Sequence, residues 1–284
     1  MDRGDLQWRG ENALVCTSCQ ATYPVREQIF CLLPIDNAQP REQNHEMKVR
    51  DAESEAGNYA HHHYARDVEL NAVKNGLHLQ EGELFLDAGA GSGDLFIRCL
   101  HPGVTHVALD FSFASLVSLR KRIPQEFSEN VWTVHGDITR LPFKDQTFHK
   151  ISSVQVIECL PEEREREKSF REIHRSLKPK GELVFTVHQY SSLLKFVYQN
   201  LYHIEYSREG RWTSDLYYYR FGKQELAKIL NHCGFEPKIE CLKFLPNRMG
   251  ERFAALCQGL ERFLSKIRMA DPLGNFLLAK CQRQ

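Results

Sequence analysis

A chain of 284 residues with 37 basic and 37 acidic side chains carries no net formal charge, so no global field recruits a polyanion, which argues against a dedicated nucleic-acid binder. An apolar share of 42% and a charged share of 26% are those of an ordinary globular protein, long enough for one full α/β-sized domain plus an appendage. No apolar run approaches the ~18 residues of a membrane span.

The amino terminus, Met1-Asp2-Arg3-Gly4-Asp5-Leu6, places acids where a secretory signal needs basic residues followed by an apolar stretch. Nine cysteines, scattered singly apart from Cys16 and Cys19, do not read as a disulfide framework. Both features point to a cytoplasmic protein.

In chain order, residues 14–34 are apolar with turn punctuation, and 36–55 are polar and charged with almost nothing to bury. This marks 1–35 as a short N-terminal appendage, 36–55 as a linker and 56–284 as the main domain. Residues 59–73 read as a helix. From Leu84 onward short apolar runs alternate with longer amphipathic stretches, predicting strands over 84–88, 106–109, 131–135, 150–154 and 182–187, with a long charged helix over 161–177. The alternation predicts an α/β fold built on a doubly wound, mostly parallel sheet. Further on, helices over 191–201, 222–233 and 250–268 surround strands over 235–244 and 275–281. The last strand follows a Pro272-Leu273-Gly274 turn and is expected to return antiparallel.

The sharpest local signal is Leu84-Phe85-Leu86-Asp87-Ala88-Gly89-Ala90-Gly91-Ser92-Gly93-Asp94, a strand running into three alternating glycines and a helix. Glycines there let the backbone turn tightly and approach a ligand. The dinucleotide fingerprint needs its third glycine later than this pattern allows, and Asp94 stands in that place, where a carboxylate would repel a pyrophosphate. Asp87 suits a ligand with a cationic end. Asp110, closing the second strand, stands where an acid reaches both ribose hydroxyls of a nucleoside. Asp137, at the tip of the third, suits an adenine amine. Three acids at three successive strand tips favour an uncharged or cationic nucleoside. Gln155, at the tip of the fourth strand, is placed to line the mouth.

Leu86 to Gly93, Leu109-Asp110, Gly136-Asp137 with Leu141-Pro142-Phe143, Val156-Ile157-Glu158 and Leu177-Lys178-Pro179-Lys180-Gly181 together resemble the class I S-adenosylmethionine-dependent methyltransferases, especially the ubiquinone-biosynthesis-type group. The resemblance covers roughly residues 59–281. It implies a seven-stranded sheet with a final antiparallel strand, S-adenosyl-L-methionine as cofactor, and methyl transfer to a small-molecule acceptor through an oxygen, nitrogen or carbon nucleophile. Cofactor contacts are then expected from Asp87, Gly89, Ala90, Gly91, Asp110, Phe111, Asp137, Ile138 and Gln155, with 190–221 as an acceptor-side insertion. Departures are Lys180, where a glycine is usual, and Cys159, where histidine is common. Cys16-Thr17-Ser18-Cys19 with Tyr23-Pro24-Val25 resembles one knuckle of the small zinc-ribbon module that accompanies some RNA and protein methyltransferases. Its partner knuckle is missing, because residues 1–15 contain neither cysteine nor histidine. Cys31 and His45 are the other conceivable ligands, and the expectation is a degenerate ribbon without metal.

Each functional reading has a plain alternative. Ser112 is a better helix cap than Asp110, Asp137 is suited to capping a local turn, and strand-end polar residues such as Gln155 are commonly just solvated. His188 and Tyr190 are candidates for a base, although a strand-end histidine is more often structural. Tyr190, Tyr198, Tyr202, Tyr206, Trp212 and Tyr217 to Tyr219 suit either an acceptor pocket or an ordinary core. His61-His62-His63 fans around a helix rather than converging on a metal. Phe253, Leu256, Cys257, Leu260, Phe263, Leu264 and Ile267 follow helical spacing and read as core, with a homodimer or membrane face as the alternative. Two other functions fit the residues: a tRNA or protein methyltransferase working with an activator, and a non-catalytic scaffold, against which the intact glycines and acids speak.

Overall fold

A strand covered on both faces must be apolar at successive positions, because neighbouring side chains point to opposite sides. The computed structural model shows this at Leu84–Ala88: Phe85 packs into one hydrophobic cluster, and Leu86 and Ala88 pack into another across the sheet. Residues 5–33, 41–56, 64–201, 203, 205–212, 215–245 and 254–284 are described.

Thirteen strands are seen among them: β1 (Leu6–Trp8), β2 (Ala13–Cys16), β3 (Thr22–Arg26), β4 (Ile29–Cys31), β5 (Leu84–Ala88), β6 (Thr105–Asp110), β7 (Val131–His135), β8 (Phe148–Val154), β9 (Leu177–His188), β10 (Glu209–Arg211), β11 (Tyr217–Tyr219), β12 (Phe235–Leu242) and β13 (Phe276–Arg283). Eleven form one sheet in the order β1-β2-β3-β4-β7-β6-β5-β8-β9-β13-β12, while β10 and β11 form a separate hairpin. The strands from β4 to β9 run parallel, and antiparallel pairs finish both ends. β13 lies antiparallel between β9 and β12, as its preceding turn predicts.

The helices are α1 (Arg41–Glu55), α2 (Tyr64–Leu77), α3 (Asp94–Arg98), α4 (Phe113–Arg122), α5 (Glu163–Ser176), α6 (Ser192–Leu201), α7 (Lys223–His232) and α8 (Ala254–Leu264). Leu70, Val73 and Leu77 of α2, Leu95 and Phe96 of α3, and Leu116 and Leu119 of α4 bury one face of the sheet. Phe170 and Ile173 of α5 with Leu226 and Leu230 of α7 bury the other. Strand order reverses direction between β5 and β8, and in doubly wound sheets the crevice beyond the strand ends at such a point is where ligands bind.

Three expectations are corrected. The sheet has eleven strands rather than seven, because the N-terminal appendage is part of it: β4 pairs parallel with β7, Leu32 N donates to His135 O at 2.8 Å, and Ile29 is fully buried in the core cluster on the α2–α4 side. The stretch read as a linker forms α1 over Arg41–Glu55. It docks through polar contacts, with Ser54 Oγ donating to Ala114 O at 3.1 Å and Asp51 Oδ1 accepting from Ser112 Oγ at 2.5 Å, so hydrophobic patterning had nothing to register. The α8 stripe is only partly core: Cys257 is buried, yet Leu256 is 74% and Phe263 61% exposed. His45, a conceivable ligand beside Cys16, Cys19 and Cys31, lies 3.6 Å from Asp215. Tyr59, His61 to His63, Tyr202 and Phe253 lie outside the described residues.

Candidate functional site

The glycine loop is tied to the end of β6, since Gly89 N and Ala90 N both donate to Leu109 O at 2.7 and 3.0 Å. Gly89 and Gly91 both have positive φ, but their surroundings differ. A Cβ at Gly89 would lie 2.2 Å from Val156 Cγ2, whereas one at Gly91 would meet nothing within 4 Å. Packing therefore demands the first glycine, and open space adjoins the second.

Gly91 N donates to Asp110 Oδ2 at 2.7 Å, and Ser112 N donates to Asp110 Oδ1 at 2.8 Å. Burial pushes the Asp110 carboxyl up, against these two N–H groups and the charge of Arg50, which hold it down. Each oxygen keeps a further lone pair. Ser112, not Asp110, caps α4 by accepting from Ser115 N at 3.1 Å, as its residue type suggests.

Asp87 faces into the sheet, where Ser152 Oγ donates to its Oδ1 at 2.7 Å and burial pushes the carboxyl up to about 7. Asp137 caps the 3₁₀ turn Ile138–Arg140, accepting from Thr139 N at 2.7 Å and Thr139 Oγ1 at 2.9 Å. Asp94 pairs with Arg122 NH1 at 2.9 Å. Ile138 is buried, and Phe111 O receives His135 Nε2 at 3.0 Å, beside the same strand tips. Gln155 has φ of +56°, a left-handed conformation that a non-glycine residue adopts at a cost and that clusters at binding sites. Its amide Nε2 donates to Glu69 Oε2 at 3.0 Å.

Glu69 was not singled out by sequence reasoning. It is 0% exposed on α2 and accepts from Thr186 Oγ1 at 2.6 Å, Gln155 Nε2 at 3.0 Å and Arg66 NH1 at 3.1 Å. Burial raises its carboxyl, against the Arg66 charge and the Thr186 bond. The available signal was an acid inside the apolar stripe of Leu70, Val73 and Leu77. α1 adds a second acid close by: Glu46, pushed up to about 7 by burial, against the charge of Arg50 and a hydrogen bond from Cys159.

At the end of β9, His188 Nδ1 lies 2.6 Å from Glu158 Oε1, while His188 N donates to Glu158 Oε2 at 2.6 Å. The carboxylate therefore fixes the ring and its Nδ1–H tautomer. Burial opposes the charged imidazole, but the Glu158 and Glu69 carboxylates outweigh it and raise the histidine above its usual value. Phe276 and Trp212 flank the ring at 4.8 and 5.4 Å. Tyr190 instead joins a stack with Tyr206 and Tyr198, with Arg208 over its ring at 4.9 Å. The structure thus brings Asp87, Gly89 to Gly91, Asp110, Gln155 and His188 to one end of the sheet.

The chain is similar to known methyltransferases. Residues 86–185 match the family model described as a methyltransferase domain. A demethylmenaquinone methyltransferase of Lactiplantibacillus plantarum is 32% identical over 113 residues, covering 38% of this chain and 46% of that protein, so the chain spans about half the length of that relative. Among solved structures, the Burkholderia thailandensis 1,6-didemethyltoxoflavin-N1-methyltransferase with bound 1,6-didemethyltoxoflavin and S-adenosylhomocysteine superposes with a TM-score of 0.60 at 15% identity, over 96% of this chain and 100% of that one. The Haloferax volcanii complex of the Trm112 methyltransferase activator with its methyltransferase-like partner gives 0.55 at 18% identity, over 82% and 96%. Over residues 86–185 the chain carries a methyltransferase domain, on a fold it shares with S-adenosylmethionine-dependent methyltransferases.

Proposed function

We propose that this chain uses S-adenosyl-L-methionine to methylate a small-molecule acceptor. The observation that carries the reading is the open space at Gly91, next to a buried strand-tip carboxylate, Asp110, that already holds the Gly91 N–H. The residues present fit the cofactor. Asp110 has lone pairs left for the two ribose hydroxyls, and Gly89, Ala90 and Gly91 leave room for its close approach. Phe111, Asp137 and Ile138 border the adenine side, where each Asp137 oxygen also retains a lone pair. Asp87, Gln155 and Glu69 suit the ammonium of the methionine end, and Arg66 suits its carboxylate.

The bound cofactor supplies a methyl group already activated on sulfonium. The chain's own task is to orient the acceptor, which supplies ~7–11 kcal/mol. The segment over 190–221 and His188 form the acceptor side. Leu256, Leu260 and Phe263, exposed along α8, are the face on which two copies would meet as a homodimer. The Haloferax neighbour keeps RNA and protein acceptors working with an activator as the second reading. The balanced formal charge favours the small molecule over RNA.

Labelled S-adenosyl-L-methionine incubated with separate small-molecule, RNA and protein fractions decides between them. Label appearing in the small-molecule fraction supports the reading, and label in RNA or protein alone replaces it. Calorimetric binding of S-adenosylhomocysteine with no label in any fraction would indicate a scaffold.

A further inference from the structure

Arg220 follows β11 and is 8% exposed, yet among the described residues it has no carboxylate partner. A guanidinium carries five N–H donors, and this one gives a single side-chain hydrogen bond, from NH1 to Ser207 O at 2.6 Å. Its charge is otherwise held by the faces of Tyr218, Tyr206 and Trp212, with ring centres at 4.2, 4.5 and 5.3 Å. Arg166, also buried, donates to the carbonyls of both Leu160 and Pro161. Burying a cation without an opposite charge is costly, so the aromatic cage leaves Arg220 with unspent capacity to bind an anion.

The same Trp212 ring lies 5.4 Å from His188 and 5.3 Å from Arg220, and the Arg220 charge opposes protonation of His188. Two chemically opposite groups thus share one aromatic wall. His188 Nδ1 is taken by Glu158, Nε2 makes no hydrogen bond among the described residues, and the side chain is 22% exposed.

Resting on the methyltransferase reading above, we propose that the acceptor is a planar aromatic or enolic acid, whose anionic group is anchored by Arg220 and whose reacting O–H, N–H or C–H proton is taken by His188 Nε2. That X–H bond breaks as the proton passes to Nε2. Its electron pair forms the bond to the methyl carbon, and the carbon–sulfur bond breaks with its pair staying on sulfur. The proton leaves His188 for solvent after the product departs. Glu158 is a positioning residue: it holds the tautomer with Nε2 unprotonated and offsets the charge that the ring acquires. The charged groups facing His188 are Glu158 beyond β8, Glu69 on α2 and Arg220 after β11. Among the described residues β13 presents the Phe276 ring.

The test uses the full chain saturated with S-adenosylhomocysteine, titrated calorimetrically at about pH 7 with 3-hydroxy-2-naphthoate and, separately, with uncharged 2-naphthol. The naphthoate is expected to bind at least ~10-fold more tightly, and Arg220→Gln to abolish that preference while S-adenosylhomocysteine affinity stays unchanged. Arg220→Lys, which keeps the charge, should retain part of the preference. Equal binding of the two probes by the parent, or a preference that survives in folded Arg220→Gln, overturns the anion anchor. A parent that fails to bind S-adenosylhomocysteine defeats the methyltransferase reading itself. For the proton acceptor, the readout is an NMR titration of the His188 ring. Glu158→Gln should move its pKa down, and an unmoved pKa in the folded variant removes Glu158 from its positioning role.

Discussion

Gly89 and Gly91 stand two residues apart in one loop, and their substitution should fail for different reasons. At Gly89, φ is +88° and an added Cβ collides with Val156. Gly89→Ala should lose ~1–2 kcal/mol to backbone strain and ~1–3 kcal/mol more to overpacking. Urea denaturation showing an unchanged midpoint would contradict that packing. At Gly91 an added Cβ meets nothing within 4 Å, so beyond the strain of its positive φ Gly91→Val should leave the fold intact while S-adenosylmethionine binding falls, since the side chain would enter the proposed cofactor space. For Asp110→Ala, two hydrogen bonds to an anion worth ~1.5–3 kcal/mol each disappear, and affinity should fall at least ~10-fold. The Gly91 and Ser112 N–H groups also lose their acceptor in this variant, so circular dichroism must accompany the calorimetry. A folded Asp110→Ala chain that binds like the parent rules out the ribose assignment.

Among the elements, α1 is the one whose docking should respond to pH. Its Glu46 carboxyl is pushed up to about 7 from an ordinary value of 4.5, chiefly by burial. An acid whose folded value is raised favours the docked state while protonated. The stabilisation is therefore full below pH 4.5 and is lost as pH rises through about 7. Amide exchange in α1, compared at about pH 6 and pH 8 after correction for intrinsic rates, should quicken at the higher value. Glu46→Gln should flatten that dependence, and an α1 equally protected at both pH values in the parent would refute it. The helix contrasts with β5 and β7, whose bounds match their predicted ranges and whose Phe85, Leu86, Ala88, Val131 and Val134 are buried apolar residues that patterning registers.

At the scale of the whole molecule, the N-terminal meander shares one core with the methyltransferase domain. Ile29 is fully buried in one core cluster with Phe85, Ala108 and Val131. Ile29→Ala should therefore lower the stability of the entire chain by ~2–5 kcal/mol in a single cooperative transition. A separate early transition with the main one unmoved would show the meander to be an independent unit. The exposed face of α8 makes a second molecular-scale prediction. Sedimentation should show concentration-dependent association that Leu256→Ser with Phe263→Ser abolishes, and a parent that remains monomeric at all concentrations would exclude the homodimer.

The sequence by itself determined the parallel core strands, the glycine loop and the acids at the ends of β5, β6 and β7, because those features are local: apolar runs, turn chemistry and spacing along one strand-loop-helix unit. It also placed the antiparallel return of β13, which follows from a turn next to a strand. Only the tertiary structure decided that Asp137 is engaged in its own turn, that Glu69 and Glu158 converge with His188, and that Arg220 lies buried without a carboxylate partner among the described residues. These depend on α2, β8, β9 and the β10–β11 hairpin meeting in space, at separations of tens of residues that no periodicity encodes. α1 escaped for a related reason. It is held by hydroxyls and carboxylates, and a polar helix docked by hydrogen bonds has the same composition as a solvated linker until its partners are seen.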